Sequence, residues 1–101
     1  MNAFPGYRPL RGNEMVLTSD TATYRITGDV VIQGVLRDGR GYVQLTLPGI
    51  SPEQLADLTS SQVFLAELYA DGTRIYTTPG LVVVDPEGKD VTGQVVVAAL
   101  A

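Results

Sequence analysis

Turn signals interrupt this chain so regularly that almost all of it must be built from short β-strands. Gly28-Asp29, Asp38-Gly39-Arg40-Gly41, Asp71-Gly72 and Pro79-Gly80 fall between runs rich in valine, leucine, threonine and tyrosine. Such spacing, roughly eight to twelve residues, is that of a β-sandwich or small barrel. Met15–Thr18 reads as a short first strand. Ala22–Thr27 alternates, with Ala22, Tyr24 and Ile26 on one face and Thr23, Arg25 and Thr27 on the other. Gly28-Asp29 is expected to break it. Val30–Arg37 and Tyr42–Leu47 then form a hairpin, with Gly34 marking a bulge or a close approach. Leu81–Val84 and Val91–Leu100 are the closing strands.

The strongest local signal is Asp71-Gly72, set between Gln62–Ala70 and Thr73–Thr78. A two-residue type I′ turn there matches the strand twist. It pairs Ala70 with Thr73, Tyr69 with Arg74, Leu68 with Ile75 and Glu67 with Tyr76. Phe64, Ala66, Leu68 and Ile75 then face inward, and Glu67, Tyr69, Arg74 and Tyr76 face outward. One helix start interrupts the strands. Ser51 can cap, Pro52 suits the first helical position, and Gln54 completes a capping box; one or two turns are expected before Thr59-Ser60-Ser61.

Charge divides the chain unequally. Met1–Asn13 carries Arg8 and Arg11 and none of the eleven acids, and its prolines and glycines give it neither helical nor strand periodicity. It is expected to be an extended arm, residues 1–13, on a β-domain of residues 14–101. Phe4, Tyr7 and Leu10 are its apolar contacts. A chain of 101 residues makes one domain with one modest core.

Several functions lose their usual reagents. Without histidine or cysteine there is no Ser-His or Cys-His couple, no disulfide and no thiolate metal site. Lys89, the sole lysine, lies in a polar loop where its pKa would not be depressed. Most acids stand at turns, where they bond the local backbone. Glu67 is mid-strand, where it can pair with Arg74. Asp85-Pro86-Glu87-Gly88-Lys89-Asp90 lacks the length and the terminal glutamate of a calcium loop. Catalysis, cofactors and metals are therefore not expected. Nor is nucleic acid, given a pI near 4.5 and an arm excess of only two charges. No apolar run approaches the ~20 residues of a membrane helix. Met1–Gly6 lacks a secretory signal, so an unprocessed cytosolic product is expected.

Tyr42-Val-Gln-Leu-Thr-Leu, the Ser-Pro-Glu-Gln-Leu helix start, Val63 through Tyr76 and Gly80-Leu-Val-Val-Val-Asp-Pro together resemble small immunoglobulin-like β-sandwich proteins of tailed bacteriophages. The resemblance covers Gly41–Asp85 and leaves Met1–Gly28 unmatched. It implies an all-β, immunoglobulin-like antiparallel sandwich acting as a virion structural protein. The first expectation is a capsid cement or decoration protein, assembled in the host cytoplasm, whose partner is the major capsid protein or another virion protein, with self-association besides. A baseplate, tail or head-fibre adaptor is the alternative, and a carbohydrate-binding or adhesion module using the tyrosines is the second. The expected partner-binding residues are Phe4, Tyr7, Arg8, Leu10 and Arg11 on the arm, with Glu67, Tyr69, Arg74 and Tyr76 on the hairpin.

Overall fold

The structure, a computed structural model, describes residues 6–85 and 95–101. Phe4 and the acidic loop after Asp85, with Lys89 and the start of the closing strand at Val91, lie outside the described residues. The elements run β1 (Leu10–Thr18), β2 (Thr23–Arg37), β3 (Arg40–Thr46), α1 (Pro52–Ser60), β4 (Leu65–Ala70), β5 (Thr73–Thr77), β6 (Leu81–Asp85) and β7 (Val95–Leu100). The protein is all-β, every strand pair is antiparallel, and the sheet order is β5-β4-β1-β2-β3-β7-β6.

These strands form one sheet, where the sandwich expectation has two. Two turn signals that do not reverse the chain are the reason. Gly28-Asp29 does not end a strand: β2 runs on through it for 15 residues. Gly12 pairs with Val30 and Glu14 with Thr27, so β2 holds one residue more than β1 across this stretch. The extra residue is a bulge, which bends the strand and sharpens its twist. Gly28 adopts φ +123°, a value closed to other residues at little cost.

Pro79-Gly80 behaves similarly. The chain does not reverse there but continues alongside β4. Thr78 donates its amide to Ala66 O (2.9 Å), and Leu81 and Phe64 exchange both backbone bonds (2.8 and 2.9 Å). Thus β5 lies on the tip of β4 and β6 begins beside its base. The open sheet curls until β6 meets Phe64 at this single bridge.

Inside the curl lies one core cluster. Met15 and Leu17 (β1), Val30 and Ile32 (β2), Val43 and Leu45 (β3) and Phe64 before β4 are all at most 1% exposed. Burying each such side chain contributes about 1.5–3 kcal/mol. The helix adds Leu58. Its start follows the sequence closely: Gln54 N donates to Ser51 Oγ and Ser51 N to Gln54 Oε1, each at 3.0 Å. Both Asp-Gly dipeptides close two-residue hairpins with positive φ at each residue, 54° and 78° at Asp38-Gly39 and 52° and 82° at Asp71-Gly72. That is the type I′ signature.

The β4–β5 register departs from expectation after two pairs. Ala70–Thr73 and Tyr69–Arg74 form as expected, but Leu68 then pairs with Tyr76 and Glu67 with Thr77. Ile75 is the extra, bulged residue. It turns outward to 47% exposure, while Tyr76 packs against the core.

Candidate docking surface

Strand β1 lies between β4 and β2, and its pairing assembles the outward surface. Arg74, Tyr69, Glu14 and Thr27 share one cross-strand row, and Thr77, Glu67, Val16 and Arg25 the next. Two diagonal ion pairs flank the middle: Arg25 Nε to Glu14 Oε2 at 2.8 Å and Arg74 Nη1 to Glu67 Oε2 at 2.9 Å. The expected Glu67–Arg74 contact is therefore present. Both arginines are largely solvated, so each pair is worth no more than about 1 kcal/mol. Their larger effect is to leave half-buried Tyr69 and Val16 between neutralised charges.

The base of the arm joins this surface. Leu10–Gly12 are already part of β1, paired with Val30–Ile32, so the sheet starts four residues before the expected boundary. Asn13 Oδ1 accepts from Asp71 N at 3.1 Å. Arg11, Gly12 and Asn13 line a shallow cleft of about 230 Å³ with Ala70 and Asp71. Arm and hairpin, read from the sequence as two separate contacts, meet here.

The other candidates divide. Gly6 and Tyr7 run beside β2: Gly34 N donates to Gly6 O (2.6 Å) and Gln33 Nε2 to Tyr7 O (3.1 Å). Tyr7 is 54% exposed, and Arg8 and Arg11 are exposed. Leu10 and Tyr76 pack against the core and stay partly exposed. Burial pushes the Tyr76 phenol pKa up.

The sequence reading passed over Asp57. Three hydroxyls donate to its carboxylate: Ser19 Oγ (2.6 Å), Thr21 Oγ1 (2.5 Å) and Tyr24 Oη (2.7 Å). Next to it Asp20 N donates to Ser61 Oγ (2.8 Å) and Gln62 N to Asp20 Oδ2 (2.7 Å). The β1–β2 turn is thereby tied to the end of α1. A signal existed, because an acid in the last turn opposes the helix dipole and α1 has no base there. Such an acid needs donors from elsewhere.

The donors from Ser19, then Thr21 and Tyr24, hold the Asp57 carboxyl below its ordinary pKa. A carboxylate so stabilised is a weaker base. The cluster is a latch. It should impose pH limits on stability. A depressed carboxyl stabilises the fold above the unfolded value of 3.8 and loses that contribution as pH falls through the folded value. The Tyr24 phenol is raised above 10.0, chiefly by its bond to Asp57, so its contribution is lost as pH climbs through the folded value. Asp57→Asn should flatten the acid limb of a melting-temperature profile and Tyr24→Phe the alkaline limb. Slopes matching the wild type in both variants would show that the latch carries no stability.

Among the described residues no group of three or more histidine, cysteine or acidic side chains could hold a metal ion, and no helix is long and apolar enough to cross a membrane. No protein-family model matches the chain, and no curated protein or solved structure is significantly similar to it.

Proposed function

We propose that this chain is a structural attachment module of a virion, a cement or decoration protein that docks on neighbouring capsid subunits and stabilises the shell. One observation carries the reading: the β1–β4 register sets Arg11 and Asn13 beside Ala70 and Asp71, so the basic arm and the Tyr69 hairpin form a single surface. Tyr69 supplies a large amphipathic contact between neutralised ion pairs, the residue type that dominates interface energetics. Arg8 and Arg11 supply exposed guanidinium groups suited to acidic groups on a partner. The surface supports attachment to a partner, and the capsid as that partner comes from the resemblance of Gly41–Asp85 to phage structural proteins.

Removing residues 1–9 should leave the sheet intact and weaken attachment to emptied capsid shells, and Tyr69→Ala should weaken it by about thirty-fold, the scale of a hot-spot side chain. Binding carried by Arg8 and Arg11 should also fall as salt rises. Removal of residues 1–13 is a poorer test, because it takes Leu10–Gly12 out of β1. Full attachment by both variants, measured by co-sedimentation, would refute the docking surface. Recovery with tails instead of tailless heads would make the chain an adaptor.

A further inference from the structure

We propose that the free edge of β5 is a strand-addition site, at which an extended segment of the partner pairs with the sheet. The identity of that partner rests on the docking reading above; the edge itself does not. Strand β5 ends the sheet and pairs only with β4. The opposite end is covered, because β6 returns to Phe64 at Leu81 and α1 packs beside it.

The register shows which backbone groups β5 leaves over. Ala70 and Thr73 flank a two-residue turn, so they form a hydrogen-bonded pair, and Tyr69–Arg74 is then a non-hydrogen-bonded one. Past the bulge the same alternation resumes. Thr78 N donates to Ala66 O at 2.9 Å, which leaves Glu67–Thr77 non-hydrogen-bonded. The amide and carbonyl of Arg74 and of Thr77 therefore point away from β4. No other strand or loop among the described residues takes them up. Thr73, Arg74, Ile75 and Thr77 are exposed, and the run holds no proline or lysine to guard the edge.

The bulge decides what fits. With Ile75 extra, Arg74 and Thr77 stand as far apart as Tyr69 and Glu67 on β4, two strand residues or about 6.8 Å. A regular strand therefore meets both, with two main-chain bonds to each. Its intervening residue lies opposite Ile75 and Tyr76, where an apolar side chain would cover Ile75, now 47% exposed. The bulge also sharpens the twist of β5. A second folded copy would bring a rigid edge with the same excess twist, and a net charge of −4 against −4. A free extended segment can wind along β5 instead. The occupant is thus a flexible segment of polar-apolar-polar pattern. Arg74 shares the cross-strand row of Tyr69, so the added strand widens the docking surface by one strand.

Hydrogen exchange of the chain on emptied capsid shells tests this. The amides of Arg74 and Thr77 should exchange at least about tenfold more slowly in the complex. Thr73 and Thr78, bonded to β4 in either state, are the reference. Ile75→Lys sets a charge against the added strand's apolar residue, and Thr77→Pro removes an outward N–H without touching a bond to β4. Each should keep the fold by circular dichroism and weaken attachment about tenfold, the scale of one lost hydrogen bond. Ile75→Lys carries the test alone if Thr77→Pro fails to fold. An acetylated, amidated Lys-Thr-Val-Thr-Lys peptide at about 1 mM is the second probe. Protection of both amides by the peptide, without attachment to shells, would keep the edge site and discard the capsid as partner. Attachment to shells with Arg74 and Thr77 still exchanging freely, or at full strength in Ile75→Lys, would overturn strand addition and leave the docking surface standing. Protection by neither probe, or a dimer formed through β5 in their absence, would overturn it as well.

Discussion

Phe64→Ala should lower stability by about 3–5 kcal/mol, the range for truncating a fully buried phenylalanine. Phe64 is 1% exposed and heads the fully buried side chains by volume. Its place makes the loss more than a cavity. The backbone of Phe64 forms the bridge to Leu81 where β6 meets the base of β4, and its side chain fills the core directly behind that seam. Single domains hold only about 5–15 kcal/mol in total, so the variant should retain a small margin or none. Urea unfolding followed by circular dichroism measures the change. Amide exchange at Phe64 and Leu81 then separates two outcomes: loss of packing alone keeps both amides relatively protected, whereas an opened seam exposes them first. Phe64→Leu, which keeps most of the volume, should cost less than about 1.5 kcal/mol. A loss below about 1 kcal/mol for Phe64→Ala would mean that the core does not depend on the seam.

Local chemistry was legible in the sequence, and non-local geometry was not. Ser51, Pro52 and Gln54 specify the helix start through atoms a few residues apart, and the structure reproduces both bonds of the box. The turn at Asp71-Gly72 specifies its two nearest pairs for the same reason. What the sequence misplaces are single-residue insertions in a ladder. At Ile75 the run Thr-Arg-Ile-Tyr-Thr alternates acceptably in either register, and only the burial of Tyr76 against the core decides between them. Gly28-Asp29 has the composition of a turn, and pairing with β1 makes it a bulge. The sandwich expectation followed from the spacing of the turn signals, and two of those signals, Gly28-Asp29 and Pro79-Gly80, do not reverse the chain. The docking surface was half legible. Tyr69, Glu67 and Arg74 were placed together by the hairpin, but their union with Arg11 depends on β1 pairing with β4 across more than fifty residues of chain. Asp57 was missed because its three donors, Ser19 and Thr21 on the β1–β2 turn and Tyr24 in β2, lie far away in sequence, and an isolated aspartate in a helix looks solvated.

Gly12→Ala tests whether β1 truly begins inside the sheet, and a loss of about 3 kcal/mol is expected, the upper end for overpacking. In an extended arm this glycine would serve only for freedom, and alanine there would be neutral or mildly stabilising. In the structure a Cβ on Gly12 would stand 2.3 Å from Tyr69 O and 2.8 Å from Leu68 Cδ1. The first of these atoms is backbone. It cannot rotate aside, so β1 and β4 must move apart next to the Glu14–Tyr69 pair. Gly80 supplies the control: a Cβ there would stand 2.7 Å from Val63 Cγ1, the end of a side chain that is 37% exposed and can turn away. Gly80→Ala should therefore cost under about 1 kcal/mol despite a similarly short contact. The two variants differ in what yields, carbonyl or methyl. Because the Gly12 clash spreads the strands that bring Arg11 to Tyr69, Gly12→Ala should also weaken capsid attachment when assayed at a temperature where it remains folded. Equal stabilities for the two alanine variants would return residues 10–13 to the arm and separate the arm from the hairpin surface.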